Sequence, residues 1–160
     1  MKLSKNFTLR ELTESTTATR LGIDNSPDAQ QISNLAELCE HVLQPIRDRI
    51  GKPIRVTSGF RNVETNRACG GSTTSDHCRG CAVDVKLIVD GENVSEIIYH
   101  TLLAMDIPFK QMIWEFGDRF ENEKMGQTPQ WVHIAYDKSN NKRQTLEAYK
   151  LNNQTKYTTI

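Results

Sequence analysis

Ser75-Asp76-His77-Cys78-Arg79-Gly80-Cys81-Ala82-Val83-Asp84 is the stretch on which the reading of this chain turns. It places a histidine and an aspartate on either side of Gly80. Asp84 lies in an apolar run, Ala82-Val83-Asp84-Val85, that reads as a buried strand continuing to Val89. An ionised carboxylate is costly to bury unless something neutralises it. A bound cation would do so, with His77 as a second ligand. The expectation is a zinc site completed by another histidine far along the chain.

Upstream of this stretch, residues 54–57 alternate like a strand and Ser58-Gly59-Phe60-Arg61 follows as a tight turn. Residues 62–68 read as a short helix closed by Cys69-Gly70-Gly71. Earlier still, Ile32, Leu35, Leu38, Cys39, Val42, Leu43, Ile46 and Ile50 fall on one helical stripe, the main core-facing helix. Ser26-Pro27 predicts its start, and Pro45 predicts a kink or break near Gln44. Near the N-terminus, Thr8 and Glu11 have the spacing of a capping box, whereas the hydroxyl-rich residues 13–19 read as irregular.

Downstream, a helix begins at Asn93 or Ser95 and ends before Pro108. Residues 111–116 and 131–136 read as strands joined by a polar connection. Residues 143–149 read as an edge strand or a short helix, and the polar tail 152–160 as loose. Helices followed by short strands imply an α+β fold, with a central antiparallel sheet flanked by helices. No repeat or linker divides the chain, so residues 1–160 are expected to form a single domain.

Composition narrows the function. Lys plus Arg and Asp plus Glu both total 20 in 160 residues, so the net charge is zero. Nucleic-acid and anionic-membrane binders usually carry a basic surplus, and neither partner is expected. No apolar run is long enough to cross a bilayer, and Met1 to Asn6 shows no signal-peptide core. The chain is therefore expected to be made in the cytoplasm without a signal peptide, and to be a monomer. Cys78 and Cys81 form a C-x-x-C pair, but no second pair follows at zinc-ribbon spacing. The four cysteines read as small buried or free thiols, with a redox role for Cys78 and Cys81 as a competing reading. His41 and His100 read as helix residues without chemistry.

The chemistry converges through strand alternation. Ala82 and Asp84 share one strand face, as do Trp131, His133 and Ala135 on a later strand. If the two strands are neighbours, Asp84 and His133 meet, and His77 closes the third corner. Two imidazoles and one carboxylate leave a tetrahedral position open, the layout of a catalytic zinc site. Such a metal polarises a carbonyl and activates water, while a nearby carboxylate must move the proton.

Ser58-Gly59-Phe60-Arg61, the Ser75-to-Asp84 stretch and Trp131-Val132-His133 together resemble the zinc D-Ala-D-Ala carboxypeptidase and L-alanyl-D-glutamate endopeptidase families, peptidase family M15. The opening residues 6–12 resemble its phage endolysin branch. The resemblance spans residues 6–136 and implies a small hedgehog-like α+β fold. It also implies one zinc ion held by His77, Asp84 and His133, and cleavage of peptidoglycan stem peptides, with action on the cell wall after release. Arg61 would match the arginine that meets substrate or oxyanion, and Ser75 the serine that hydrogen-bonds substrate. Trp131 would pack under the ligands or line the cleft.

Several relatives carry the general base three residues before the second histidine, where this chain has Gln130. Glu115, in the apolar segment Met112-Ile113-Trp114, is the expected base instead. Glu121 and Glu123 are alternatives, and Asp76 and Asp118 read as solvated. Ligand exchange by Cys81 is disfavoured because alternation turns it away from Asp84. A non-catalytic zinc domain that binds cell wall or a phage-particle partner is the competing function, and Gln130 is the residue that favours it.

Overall fold

A computed structural model of the chain describes residues 1–117 and 128–160. The first helix, α1 (Leu9–Thr13), has the expected capping box: Glu11 N–H donates to Thr8 Oγ1 at 3.3 Å, and Thr8 N–H to Glu11 Oε2 at 2.9 Å. Residues 13–19 are not irregular, because α2 (Thr16–Leu21) occupies most of them. Its hydroxyls serve the helix itself: Ser15 Oγ caps it through Ala18 N–H, and Thr19 Oγ1 donates back to Ser15 O.

The long apolar stripe becomes α3 (Ala29–Leu38), a π-helical turn (Cys39–Leu43) and α4 (Gln44–Ile50). Helix α3 starts two residues later than Ser26-Pro27 predicts. Asp28 and Gln31 form the capping box, while Ser26 bonds Asp24 instead. The π turn falls just before Pro45. Proline has no N–H to give the ladder and its ring crowds the preceding turn, so the chain takes up an extra residue there. Gln44 N–H accordingly reaches back to Cys39 O. The stripe survives the irregularity: Leu35, Leu38, Cys39, Val42, Leu43 and Ile46 are all fully buried.

The remaining elements are β1 (Arg55–Ser58), α5 (Val63–Ala68), a 3-10 turn (Asp76–Arg79), β2 (Ala82–Lys86), β3 (Ile88–Val89), β4 (Glu92–Asn93), α6 (Glu96–Ala104), β5 (Gln111–Glu115), β6 (Trp131–Ala135), β7 (Gln144–Leu151) and β8 (Gln154–Thr159). The strand predicted over 82–89 breaks at Leu87, after which β3 and β4 form a separate small hairpin. The main sheet has the order β1-β2-β6-β5-β7-β8. The fold is α+β, as the sequence implies.

Three expectations for the sheet need correction. Its pairings are antiparallel except for β5 with β7, which is parallel. After β6 the chain crosses β5 and enters β7 in the direction of β5. Of residues 143–149, all but Arg143 therefore belong to an interior strand. The tail 152–160 is not loose either, since β8 pairs with β7 from Leu151↔Gln154 to Leu146↔Thr159. Asn152 (φ 50°) and Asn153 (φ 61°) make the turn. A two-residue hairpin of this hand needs positive φ at both central positions, which asparagine tolerates.

One sheet face carries Val83, Val85, Met112, Trp114, Val132 and Ile134, all at most 2% exposed, which join the core with α3, α4 and α6 residues such as Leu35, Ile46 and Leu102. Period-two alternation sends Asp84, Ile113, Glu115 and His133 to the opposite face. Among the described residues, no helix is long and apolar enough to cross a membrane.

Candidate metal centre

Asp84 on β2 and His133 on β6 stand directly opposite each other in the antiparallel register. His133 Nδ1 is 2.9 Å from Asp84 Oδ1. The third member, His77, comes from the 3-10 turn. Ser75 Oγ caps that turn by accepting from His77 N–H at 3.3 Å. Gly80 closes it at φ +70°, where a Cβ would meet Gln31 O at 2.6 Å, so both the backbone hand and the space require glycine. Helix α3 fixes the turn from outside: Gln31 Nε2 donates to Cys78 O, and Asn34 Nδ2 to Arg79 O.

His77 is 2% exposed. Its Nδ1 lies 2.7 Å from Gly59 O, a carbonyl that can only accept, so Nδ1 donates there and Nε2 is the nitrogen turned to the cluster. Nε2 points at Asp84 Oδ1 from 3.4 Å. Gly59 can present that carbonyl because it lies hard against α1: its Cβ would sit 2.2 Å from Leu12 O. Phe60 N–H donates to the same Leu12 O at 2.7 Å.

Ligand-capable atoms of His77, Asp84 and His133 therefore all lie within 4.8 Å of one another. The donor set fits zinc: two imidazole nitrogens and one carboxylate oxygen, with one imidazole held in its tautomer by a backbone carbonyl. Burial works against ionisation of Asp84, but His77 and then His133 outweigh it and hold the carboxyl below the usual carboxylate range.

Glu115 belongs to the same face. It pairs with Trp131 on β6, two residues along from the Ile113↔His133 pair. It is 8% exposed, and burial raises its pKa from 4.5 to about 7; His133 pulls it down and the Asp84 charge adds to the rise. A cleft of about 660 Å³ runs over this face, and Glu115, Arg61, Ser75 and Trp131 all line it with the three clustered residues. Arg61 donates its backbone N–H to His77 O, and its buried Nε has no hydrogen-bond partner among the described residues. Trp131 both packs and lines: its ring meets Phe116 edge-on at 5.5 Å while bordering the cleft. Gln130 is exposed, and its backbone N–H donates to Glu115 O.

Peptidase M15 is the family whose sequence model matches residues 5–107. The chain belongs to the peptidase M15 family. The matched residues include His77 and Asp84, while Glu115 and His133 follow them. No curated protein matches the chain. M15 peptidases in general depend on zinc, which agrees with the donor set above.

Other sequence expectations resolve around this M15 site. Asp76 is not a solvated carboxylate: both oxygens take Lys110 Nζ, at 2.7 and 2.8 Å, and Arg79 adds a third contact. This pair ties the His77 turn to the start of β5, and its members are too far apart in sequence for any local pattern to reveal. Asp118, Glu121 and Glu123 lie outside the described residues. All four cysteines are free. Cys81 borders a different cavity, with Arg79 and Asp137, and does not line the metal cleft. Burial raises the pKa of both Cys78 and Cys81, the opposite of what a reactive thiolate needs. His41 stacks on Tyr136 and pairs with Glu37, and His100 meets Tyr99 edge-on. Lys110 and Tyr157 are among the cleft-lining residues that sequence reasoning missed. The Asn152-Asn153 turn signal was the clue to the second.

Proposed function

We propose that this M15 family member is a zinc peptidase that hydrolyses peptide bonds in peptidoglycan stem peptides or their cross-links. The observation that carries the proposal is the joint placement of His77, Asp84 and His133 with Glu115 beside them on one cleft floor. His77 through Nε2, His133 through Nδ1 and Asp84 through a carboxylate oxygen would hold the ion. Zinc, when bound, supplies Lewis-acid polarisation of the scissile carbonyl and lowers the pKa of water.

The chain's own groups do the rest. Glu115 accepts a proton from the attacking water and returns it to the departing nitrogen as the C–O bond forms and the C–N bond breaks. A pKa near 7 suits both halves of that task. Arg61, with a buried N–H left over, faces the negative charge that develops on the carbonyl oxygen or a substrate carboxylate. Ser75 already accepts from His77 N–H, so its hydroxyl proton remains for a substrate acceptor. Trp131 forms part of the cleft wall. All these groups come from one chain, so a single copy suffices. The cell wall is the expected place of action, reached after release from the cytoplasm.

Gln130 favours a second reading, a zinc domain that binds cell wall or a phage-particle partner without cleaving it, because a carboxamide takes no proton at neutral pH. One comparison separates the two. Wild-type protein carrying about one zinc should release peptides from purified peptidoglycan. Glu115→Gln should keep the zinc and lose roughly 10²–10⁴ in rate, the usual contribution of a general base. An unchanged rate overturns Glu115 as base, and zinc-loaded wild-type protein that releases nothing supports the binding domain.

A further inference from the structure

The face that carries the metal cluster does not end at Glu115. Reading across the sheet, one row runs Asp84, His133, Ile113, Leu146. The next runs Trp131, Glu115, Ala148, Tyr157. The rows are two residues apart, so both point to the same side. Adjacent strands lie about 4.8 Å apart, so the floor continues about 14 Å from β6 to β8. Leu146, Thr155 and Tyr157 border the same cleft as His77 and Glu115. The β7–β8 hairpin lies beyond the residues that the family model matches.

Tyr157 stands out on this floor. Its side chain borders the cleft, yet the residue is 55% exposed, so a large ring is left in contact with water beside an acidic centre. Between it and Glu115 the row carries only the methyl of Ala148, too small to screen one from the other. Partial burial raises the phenol's pKa, and the Glu115 and Asp84 charges add to the rise, so all three groups share one electrostatic neighbourhood. A phenol in such a place offers a flat apolar face and a neutral hydrogen-bond donor.

We infer that Tyr157 is a substrate-contacting residue. The peptide extends past the scissile bond over Ile113 and Leu146, and the Tyr157 hydroxyl donates to one of its carbonyl oxygens. The occupant is then an extended peptide with small apolar side chains. Its identification as a cell-wall peptide rests on the function proposed above; the contact itself rests on the sheet geometry.

Zinc-loaded full-length protein, Tyr157→Phe and Tyr157→Ala are compared in two measurements. The first is kcat and KM for peptide release from soluble muropeptides. The second is calorimetric binding of the same muropeptides to Glu115→Gln protein, with and without each Tyr157 change. Loss of one neutral hydrogen bond predicts about a tenfold rise in KM and in Kd for Tyr157→Phe, with kcat held. Tyr157→Ala adds loss of the ring face and a further tenfold or so. Zinc content and melting temperature should match the parent, which a purely structural tyrosine would not allow. KM and Kd within twofold of the parent in both variants overturn the inference. Protein that cleaves nothing but loses binding on Tyr157→Ala keeps the contact and rejects the catalytic reading.

Discussion

Glu115→Gln should make the metal-free protein more stable, and by an amount that depends on pH. Burial lifts this carboxyl from 4.5 to about 7 because the ionised form loses hydration on a strand where only 8% of the residue is exposed. Each tenfold change in proton affinity is worth about 1.4 kcal/mol, so the ionised side chain costs the fold about 3 kcal/mol. The sign follows from proton binding. Between pH 4.5 and 7 the folded protein holds a proton that the unfolded chain has released. Stability is therefore full below about pH 4.5 and falls as pH rises through about 7. Glutamine carries no charge at any pH and removes this slope. Urea unfolding with chelator present should show the variant ahead by about 3 kcal/mol at pH 8 and nearly level with the parent at pH 4.5. A cation held by His77, Asp84 and His133 would stabilise the ionised form, so added zinc should flatten the slope in the parent. A difference between parent and variant that is the same at pH 4.5, 6 and 8 would refute the assignment of a buried, proton-holding carboxyl.

Two other perturbations test the support of the site. Gly59→Ala drives a methyl into Leu12 O and shifts the carbonyl that holds His77, so stability should drop by about 1–3 kcal/mol. Zinc affinity should also fall roughly 10–100-fold, measured by competition with a chromophoric chelator. Zinc at 100 times its dissociation constant should raise unfolding stability by about 2.7 kcal/mol in the parent, and by almost nothing in His133→Ala.

The site was legible in the sequence where local rules govern it. Strand alternation set Asp84 and His133 on facing sides, and the structure pairs them in register. Glu115 stood out because a charge interrupts an apolar segment. What stayed hidden depends on distant parts of the chain. Lys110 reaches Asp76 from another element, and Gly59 matters only because Leu12 happens to lie against it. The composition of residues 13–19 misled because threonine and serine can serve a helix by capping it or by bonding back along it. The tail misled for a related reason: its polar residues form an edge strand exposed along nearly its whole length, a setting that needs little hydrophobicity. Only the paired asparagines, at positive φ, announced it.

The register that opposes Asp84 and His133 also has a temporal side. Their contact bridges 49 positions of sequence, and His77 lies earlier still. During synthesis the first two groups are made well before the third, and the sheet between β2 and β6 cannot close until residues 131–135 have left the ribosome. Bringing the ends of so long a loop together costs chain entropy that local contacts do not repay. An ion captured by all three would lock the late strand onto the early one. A bound ion would then hold the closed sheet against reopening, as well as serve the chemistry of the finished protein.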